Sequence, residues 1–426
     1  MTSKNPELFT DDDFLKDCPN HELVPTILPA VKRLIAIGDI HGDLNLAIQS
    51  FKLAKLINDN FEWIAEPRDT VVVQVGDQID SCRPIPNVYD CHNKAQAGDA
   101  QNDINVLDFF DSVHAQAKKH GGAVYSLLGN HELMNASGDF KYVSYENFHK
   151  FVYRDQDQNQ NQDLAKIYTG PDGRTRAFRQ GGPVAKKLAC TRNSVLVIGS
   201  TMFVHAGVLP VLARKLDYLN IDNRLKLEYL NAIVRKWLLH KLTSDDKFAQ
   251  STLINDPKIS PFWTRIYGAI PINTGLTDTE SKCYSHVKRA IQVYKVGQLV
   301  VGHTPQLFTN DSGINGTCYE SDGSNKLYRV DGGFAEAFKI FKNNHIIQVL
   351  EIIDDNKFNI LTQNTFNMSN KFKDNTNVKH KFGNNRILQS DTETDKKYNI
   401  NISEKYMGKI SKFYAQNRVR GNSKRH

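Results

Sequence analysis

VYSLLGNHELMN, Val124 to Asn135, decides the fold. A continuous apolar run breaks at Gly129 and is followed at once by Asn130, His131 and Glu132, groups that ligate metals or move protons. Strands buried on both faces read as short unbroken apolar runs, and in α/β sheets functional groups collect just beyond their carboxyl ends. The same grammar recurs in LIAIGDIHGD (Leu34 to Asp43), TVVVQVGDQID (Thr70 to Asp80), MFVHAG (Met202 to Gly207) and QLVVGHTP (Gln298 to Pro305). Five strand ends are therefore expected to converge on one site.

Between these strands the spacing turns helical. LNLAIQSFKLAKLI after Asp43 and INVLDFFDSVHAQAKKH before the GNHE strand repeat apolar residues at three to four positions. Strand, turn, helix and strand make two successive β-α units, with the connection expected to be right-handed. SVLVIGSTMFVHAG reads as a hairpin across Gly199 and Ser200, AFRQGGPVAKKLA as a turn into a helix, and 208 to 248 and 280 to 295 as helical. LYRVDGG and the pair AFKIFKNNHIIQVLEII, turning at Asn343 and Asn344, read as a second, antiparallel sheet.

The chain of 426 residues is 40% hydrophobic, enough for a large core. Residues 1 to 30 read as an arm over the body, 31 to 363 as the catalytic domain, 81 to 103 as a loop insert beside the site, and 364 to 426 as a disordered basic tail. A Gln- and Asn-rich patch, DQDQNQNQD, interrupts the body after Arg154. The tail from Ser369 holds fourteen Lys and Arg against five Asp and Glu. That net +9, within a chain of net +7, leaves the body two below neutral and gives its surface no argument for nucleic acid. The tail alone suits an acidic partner, a membrane surface or nucleic acid.

No apolar run is long enough to span a bilayer. Cysteines at 18, 82, 91, 190, 283 and 318 have no regular spacing, and MTSKNPELFTDDDF has no basic start or apolar stretch of signal-peptide type. Reduced thiols and a cytoplasmic location are the expectation. Cys82, Cys91 and His92 give only three candidate ligands without a paired CxxC, so ordinary loop residues are favoured over a zinc site.

Hydrolysing a phosphate ester at neutral pH needs activated water and neutralised phosphoryl oxygens, and two cations about 3.5–4 Å apart supply both. Asp39 and His41 suit one metal, Asp77 the bridge, and Asn130, His205 and His303 the other. Mixed Asp, His and Asn donors favour Mn²⁺, with an Fe and Zn pair as the alternative, over an all-oxygen Mg²⁺ or Ca²⁺ cage.

GDIHGD, GDQID, GNHE, HAG and GHTP, in this order, resemble the metallophosphoesterase (calcineurin-like) superfamily, and the Glu of GNHE resembles its phosphoprotein phosphatase branch. GNHELMN, FRQGGPVA, PFWTRIYG, VGHTPQ and LYRVDGG are similar to the Shewanella-like protein phosphatases. The resemblance spans about residues 34 to 337. It implies an α/β fold, a β-sandwich of two mixed sheets flanked by helices, and a dinuclear centre. It also implies hydrolysis of phosphomonoesters on Ser, Thr or Tyr of phosphorylated proteins, by direct attack of metal-held hydroxide. The same resemblance matches Asp39, His41, Asp77, Asn130, His205 and His303 to metal ligands and His131 to the leaving-group acid, oriented and charge-paired by Asp80, with Glu132 behind the ligands.

Phosphate also calls for an Arg fork. Arg265 in FWTRIYG and Arg179 in FRQGG are the candidates. The relatives' GDxxDRG is replaced here by Asp80, Ser81, Cys82, Arg83, so either Arg83 swings in from the loop to replace the customary Arg or substrate binding is weaker or different. A diadenosine polyphosphate hydrolase, a general phosphodiesterase and an inactive scaffold are the competing readings. The intact ligand set argues against the scaffold.

Overall fold

The computed structural model describes residues 11–85, 88–95, 99–155, 166–310, 313–341 and 346–364. The tail from 365, most of the Gln-rich patch and the Asn343–Asn344 turn lie outside the described residues. In chain order the strands are β1 (Ile27–Leu28), β2 (Arg33–Ile37), β3 (Val71–Gln74), β4 (Ala123–Leu127), β5 (Val152–Asp155), β6 (Lys166–Thr169) and β7 (Arg192–Asn193). They continue as β8 (Val195–Ile198), β9 (Thr201–Val204), β10 (Gln298–Val301), β11 (Asn315–Tyr319), β12 (Asn325–Arg329), β13 (Ile346–Ile353) and β14 (Lys357–Asn364).

Twelve of these form two mixed six-stranded sheets, in the orders β1-β8-β9-β10-β12-β11 and β14-β13-β2-β3-β4-β7. Period-two alternation sends the apolar side chains of each strand to two different cores. Leu34, Ala36, Val71 and Val73 of one sheet meet Leu196, Phe203, Val300 and Tyr328 of the other. Ile35, Ile37, Val72 and Val124 face outward onto the helices Leu44–Leu53 and Asp103–Lys118. Val195, Val197, Met202 and Leu299 pack on their own helical layer, which includes Pro183–Thr191 and Leu225–Leu238. These strands are near-continuous apolar runs because neither face is left in water.

The expected β8–β9 hairpin forms, with Ile198 opposite Thr201. β2, β3 and β4 are mutually parallel, as are β9, β10 and β12, so six carboxyl ends leave the two sheets. That shared polarity brings separate turns together.

Three expectations change. AFKIF is not a strand: Glu336–Phe341 is a 3-10 turn, where Asp43 accepts the Glu336 N–H at 2.9 Å and Ala337 and Phe338 pack into the outer core. Its apolar pattern is satisfied by a helical face, and β13 pairs instead with β14 and with β2. β12 and β13 consequently lie in different sheets.

The expected free thiols are paired. Cys18–Cys190, Cys82–Cys91 and Cys283–Cys318 are disulfides, with Cα separations of 5.5, 5.9 and 5.2 Å. Two of the bridges close spans of 172 and 35 residues, partners that only the tertiary fold brings together. The thiol argument for a reducing compartment therefore falls away, and Cys82 and Cys91 are not zinc ligands. No helix among the described residues is long and apolar enough to cross a membrane.

Candidate active site

The strand-end turns interlock through each other's main chains. Ile40 and His41 donate their N–H groups to the Asp77 carbonyl at 3.0 and 2.9 Å, and Gly42 donates to Gln78 at 2.8 Å. Glu132 accepts from the N–H groups of Gly129, Asp77 and Gln78 at 2.7, 3.0 and 2.8 Å, so it ties two turns rather than facing the ligands. Carboxylates of the set reach back in the same way: Asp77 accepts the His131 N–H and Asp39 the His303 N–H, both at 3.0 Å.

Such close approach excludes side chains from the turns. A Cβ on Gly129 would sit 2.1 Å from Asp77 Oδ1, and one on Gly302 2.2 Å from Asp39 Oδ1. His41, Asp77, Asp80 and His303 hold positive φ of 48°, 53°, 73° and 67°. Each such residue costs about 1–3 kcal/mol, a cost sustained where the surrounding bonds dictate the backbone.

All six expected ligands are buried and meet at one place. His41 Nε2 lies 3.9 Å from Asp39 Oδ2 and from Asp77 Oδ2, and His205 Nε2 lies 3.3 Å from Asp77 Oδ2. Asn130 Oδ1 is 2.9 Å from both His205 Nε2 and His303 Nδ1. Two triads have donor atoms close enough to share an ion: His41, Asp77 and His131, and Asp77, His205 and His303. Asp77 belongs to both.

The donors fit cations. His205 donates its Nδ1–H to the Val75 carbonyl at 2.9 Å, and His303 its Nε2–H to the Trp263 carbonyl at 3.1 Å, leaving each inner nitrogen a lone pair toward the site. Asp39 Oδ1, His41 Nδ1 and Asp331 Oδ2 are buried without a hydrogen-bond partner. Burial, then Asp331 and Asp77, raises Asp39 well above the usual carboxylate range. Burial lowers His41 and His303 well below the ordinary imidazole value, helped by Arg83 and Arg265 respectively, so both stay neutral as metal ligands require. For Asp77 burial raises the pKa, but His205 and His131 outweigh it and hold the carboxyl well below its usual range. His205, lowered by burial, is lifted back above its ordinary value chiefly by Asp77. The Asp77 carboxylate thus favours positive charge at His205 Nε2, the place that a cation would take instead of a proton.

Asp331 was not among the sequence candidates. It follows β12 and is a sixth strand end of the same grammar, signalled by the break of LYRV into Asp-Gly-Gly. Burial, with a contribution from Asp77, pushes it up to about 6. A carboxyl raised in the folded state binds a proton that the unfolded chain releases, so its folding penalty is absent below the unfolded pKa near 3.8 and complete above about 6. Asp331→Asn is therefore expected to raise the Tm of metal-free protein at pH 7.5 by about 2 °C or more, with a much smaller gain at pH 4.5. Calorimetry at the two pH values checks it.

His131 Nδ1 lies 2.8 Å from Asp80 Oδ2, while its Nε2 lies 3.7 Å from Asp77 Oδ2. Arg265 is exposed, and its Nη1 donates to the His303 carbonyl at 3.1 Å. Trp263 packs edge-on against His303, and Tyr267 is buried with its hydroxyl on the Val208 carbonyl. Arg179 is exposed just beyond the helix Gly170–Phe178, and among the described residues no hydrogen bond or ion pair joins its side chain to the ligands. From the interior of that helix, Arg174 instead reaches the Asp80 carboxylate, its Nη2 lying 3.4 Å from Oδ1.

Arg83 is buried beside the site. Its Nη1 donates to the carbonyls of Asp80 and Cys82 at 3.0 and 2.7 Å. Its Cζ lies 4.6 Å from the Phe338 ring and 5.5 Å from the Tyr142 ring. Phe338 in turn packs on His41 and Tyr142 on His131, at centroid distances of 5.4 and 5.0 Å. Disulfide Cys82–Cys91 and the Cys82 N–H on the Tyr142 carbonyl at 3.1 Å hold this stretch in place.

Comparison with known proteins agrees with this geometry. A sequence model of the calcineurin-like phosphoesterases matches residues 32–307. The chain belongs to that family. As a calcineurin-like phosphoesterase it is a phosphoester hydrolase of a family that depends on a dinuclear metal centre, and its buried triads supply candidate ligands. An uncharacterized protein of Acanthamoeba polyphaga mimivirus is 61% identical over 255 residues, 60% of this chain and 98% of that one. Shewanella-like protein phosphatase 2 of Arabidopsis thaliana is 27% identical over 388 residues, 84% of this chain and 85% of that one. Among solved structures, a cold-active protein tyrosine phosphatase shares the fold at a TM-score of 0.52 and 19% identity, covering 80% of this chain and 83% of that one.

Proposed function

We propose that this calcineurin-like phosphoesterase is a phosphoprotein phosphatase that hydrolyses phosphomonoesters on Ser, Thr or Tyr. The observation that carries the reading is His131: a buried imidazole beside the metal ligands, with Nδ1 held by Asp80 and Nε2 turned toward Asp77. An alkoxide or phenoxide leaving from phosphorus needs a proton, and the imidazolium form of His131 would give one from Nε2 while its Nδ1–H stays on Asp80. Relatives named as protein phosphatases support the choice of substrate.

Asp39, His41, Asp77, Asn130, His205 and His303 would hold the two metals, with Asp77 shared, and Mn²⁺ is the favoured ion for this donor set. Bound, such a pair acidifies water and neutralises charge on the phosphoryl oxygens. Water adds its hydroxyl to phosphorus, and the ester P–O bond breaks with its electron pair on the leaving oxygen. That oxygen takes the Nε2 proton of His131, and the proton released by water restores the ring. Asp80 accepts from Nδ1–H throughout and keeps Nε2 aimed. In this reading the catalytic unit is residues 31 to 363, with Ile27–Leu28 adding an edge strand to its first sheet.

Arg83 and Arg265 are the phosphate anchors in this reading, on the His41 and His303 sides respectively, which accounts for the loss of the relatives' Asp-Arg pairing. Arg83→Met is expected to lower kcat/KM for phosphopeptides by roughly 10- to 100-fold, the worth of a charged hydrogen bond, mostly through KM. Steady-state kinetics at unchanged metal content reads this.

The deciding experiment reloads metal-stripped protein with Mn²⁺, Zn²⁺ or Mg²⁺. Phosphate release is then followed from phosphoserine, phosphothreonine and phosphotyrosine peptides, from diadenosine tetraphosphate and from bis-p-nitrophenyl phosphate. Metal-dependent release from a phosphopeptide supports the proposal and fixes the residue preference. Turnover of the dinucleotide or the diester alone overturns it in favour of those activities, and no turnover with any metal leaves a scaffold.

A further inference from the structure

Behind Asp80 lies a polar network that the sequence did not announce. Arg174 is fully buried, from a helix whose Gly173 lets it approach Tyr168 closely: a Cβ there would lie 2.6 Å from the Tyr168 carbonyl carbon. Its Nε and Nη2 donate to Asn135 Oδ1 at 3.0 and 2.7 Å, Nη2 to Asp103 Oδ2 at 2.8 Å, and Nη1 to the Asn147 carbonyl at 3.1 Å. Nη2 also lies 3.4 Å from Asp80 Oδ1. The guanidinium carbon is 4.5 Å from the Phe178 ring, which closes the apolar side.

Donor and acceptor bookkeeping gives this network one polarity. A guanidinium only donates, so the Asn135 oxygen must face Arg174 and its NH₂ must face the other way. There Nδ2 donates to both oxygens of Asp80, at 2.9 and 3.0 Å, and to the His131 carbonyl at 3.0 Å. Asp80 Oδ1 also faces Arg174 Nη2 at 3.4 Å and Oδ2 faces His131 Nδ1 at 2.8 Å, while the Asp80 backbone N–H donates to Asp103 Oδ1 at 3.1 Å. Facing donors on every side, Asp80 presents an acceptor to His131, so the ring's inner proton is placed on Nδ1 and Nε2 points at the metal ligands.

We infer that Arg174 is a positioning residue for the leaving-group proton: by fixing the Asn135 amide, and through it the Asp80 carboxylate, it sets the tautomer and aim of His131. The inference rests on the phosphomonoesterase reading for its kinetic consequence, and not for its tautomeric one. Asp103, raised to about 6 by burial and by Asp80 despite Arg174, is the other acid of the network and is held by the same guanidinium.

Arg174→Lys keeps the charge and removes the fork that grips Asn135. Expected is a fall in kcat of roughly 10- to 100-fold for phenyl phosphate and phosphoserine peptide, whose leaving groups need the proton. For 2,4-dinitrophenyl phosphate, whose leaving group does not, kcat should stay within about twofold, with KM and metal content unchanged. Asn135→Ala cuts the same link while leaving Arg174 on Asp103, and is expected to give the same pattern if the Lys variant does not fold. Equal losses for all three substrates, or a loss of metal, assign Arg174 a structural role and overturn the inference. ¹⁵N spectra of the His131 ring in metal-free protein give a reading independent of turnover. Nδ1 protonated in the parent protein and a mixture of tautomers in the variants supports the inference, and identical spectra sink it. A parent protein that hydrolyses no monoester yet shows the tautomer shift would refute the proposed function alone.

Discussion

His131→Asn is expected to lower kcat for phenyl phosphate and phosphoserine peptide by roughly 10²–10⁴-fold, the worth of a well-placed general acid. Asn can still donate to Asp80 from its amide, so the contact that Nδ1 makes at 2.8 Å is imitated. Nothing then stands at the Nε2 position with a proton to give. With 2,4-dinitrophenyl phosphate the loss should shrink, because that phenolate leaves unaided. The experiment also separates two uses of the same ring, since His41, Asp77 and His131 lie close enough for His131 to ligate a metal. Unchanged metal content with a leaving-group-dependent loss identifies the acid. Loss of one metal equivalent, with every substrate slowed alike, would make His131 a ligand and remove the proposed proton donor.

The parts of this site legible in the sequence are those whose signal is local. Asp39, His41, Asp77, Asn130, His205 and His303 each follow an apolar strand within a few residues, and parallel pairing of those strands is enough to gather them. Arg174 carries no such signal. It sits in GPDGRTRAF among charged neighbours, and only the packing of its helix against the Asp80 turn buries it. Arg179, five residues later and in a more suggestive motif, stays in solvent. Asp331 is legible by the same rule as the others, in the break of LYRV into Asp-Gly-Gly, but only the parallel pairing of its strand with β10 brings it to the same site. The cysteine pairs and the helical turn of AFKIF share one cause: long-range contacts, Cys18 on Cys190 and Asp43 on Glu336, override what spacing and propensity suggest. Arg83 lies between these cases, its position in the sequence pointing to the site and its two aromatic neighbours and the Asp80 and Cys82 carbonyls placing it there.

Asp77→Asn is expected to remove metal from both halves of the centre. Asp77 is common to both triads, it accepts the His131 N–H at 3.0 Å, and its main-chain carbonyl receives the N–H groups of Ile40 and His41. The backbone bonds survive the substitution, and Asn still accepts from His131, so the turn should persist while its charge is lost. That charge is what lifts His205 above its ordinary pKa and what a cation would meet between the two triads. Metal content measured after gel filtration should fall from about two equivalents per chain to below one, and phosphate release by at least roughly 10³-fold, the scale on which loss of a metal-generated nucleophile is felt. The thermal transition of metal-free protein should move down at neutral pH but stay cooperative, because a carboxyl that His205 and His131 hold below its usual range stabilises the fold above its unfolded pKa, partly offset by relief of the repulsion that raises Asp39 and Asp331. A variant that keeps both metals and its activity would mean that the ions sit elsewhere. One that loses its metals together with its folded state would place the carboxylate in the architecture of the turns before the chemistry, and the two are told apart by the metal-free melting curve.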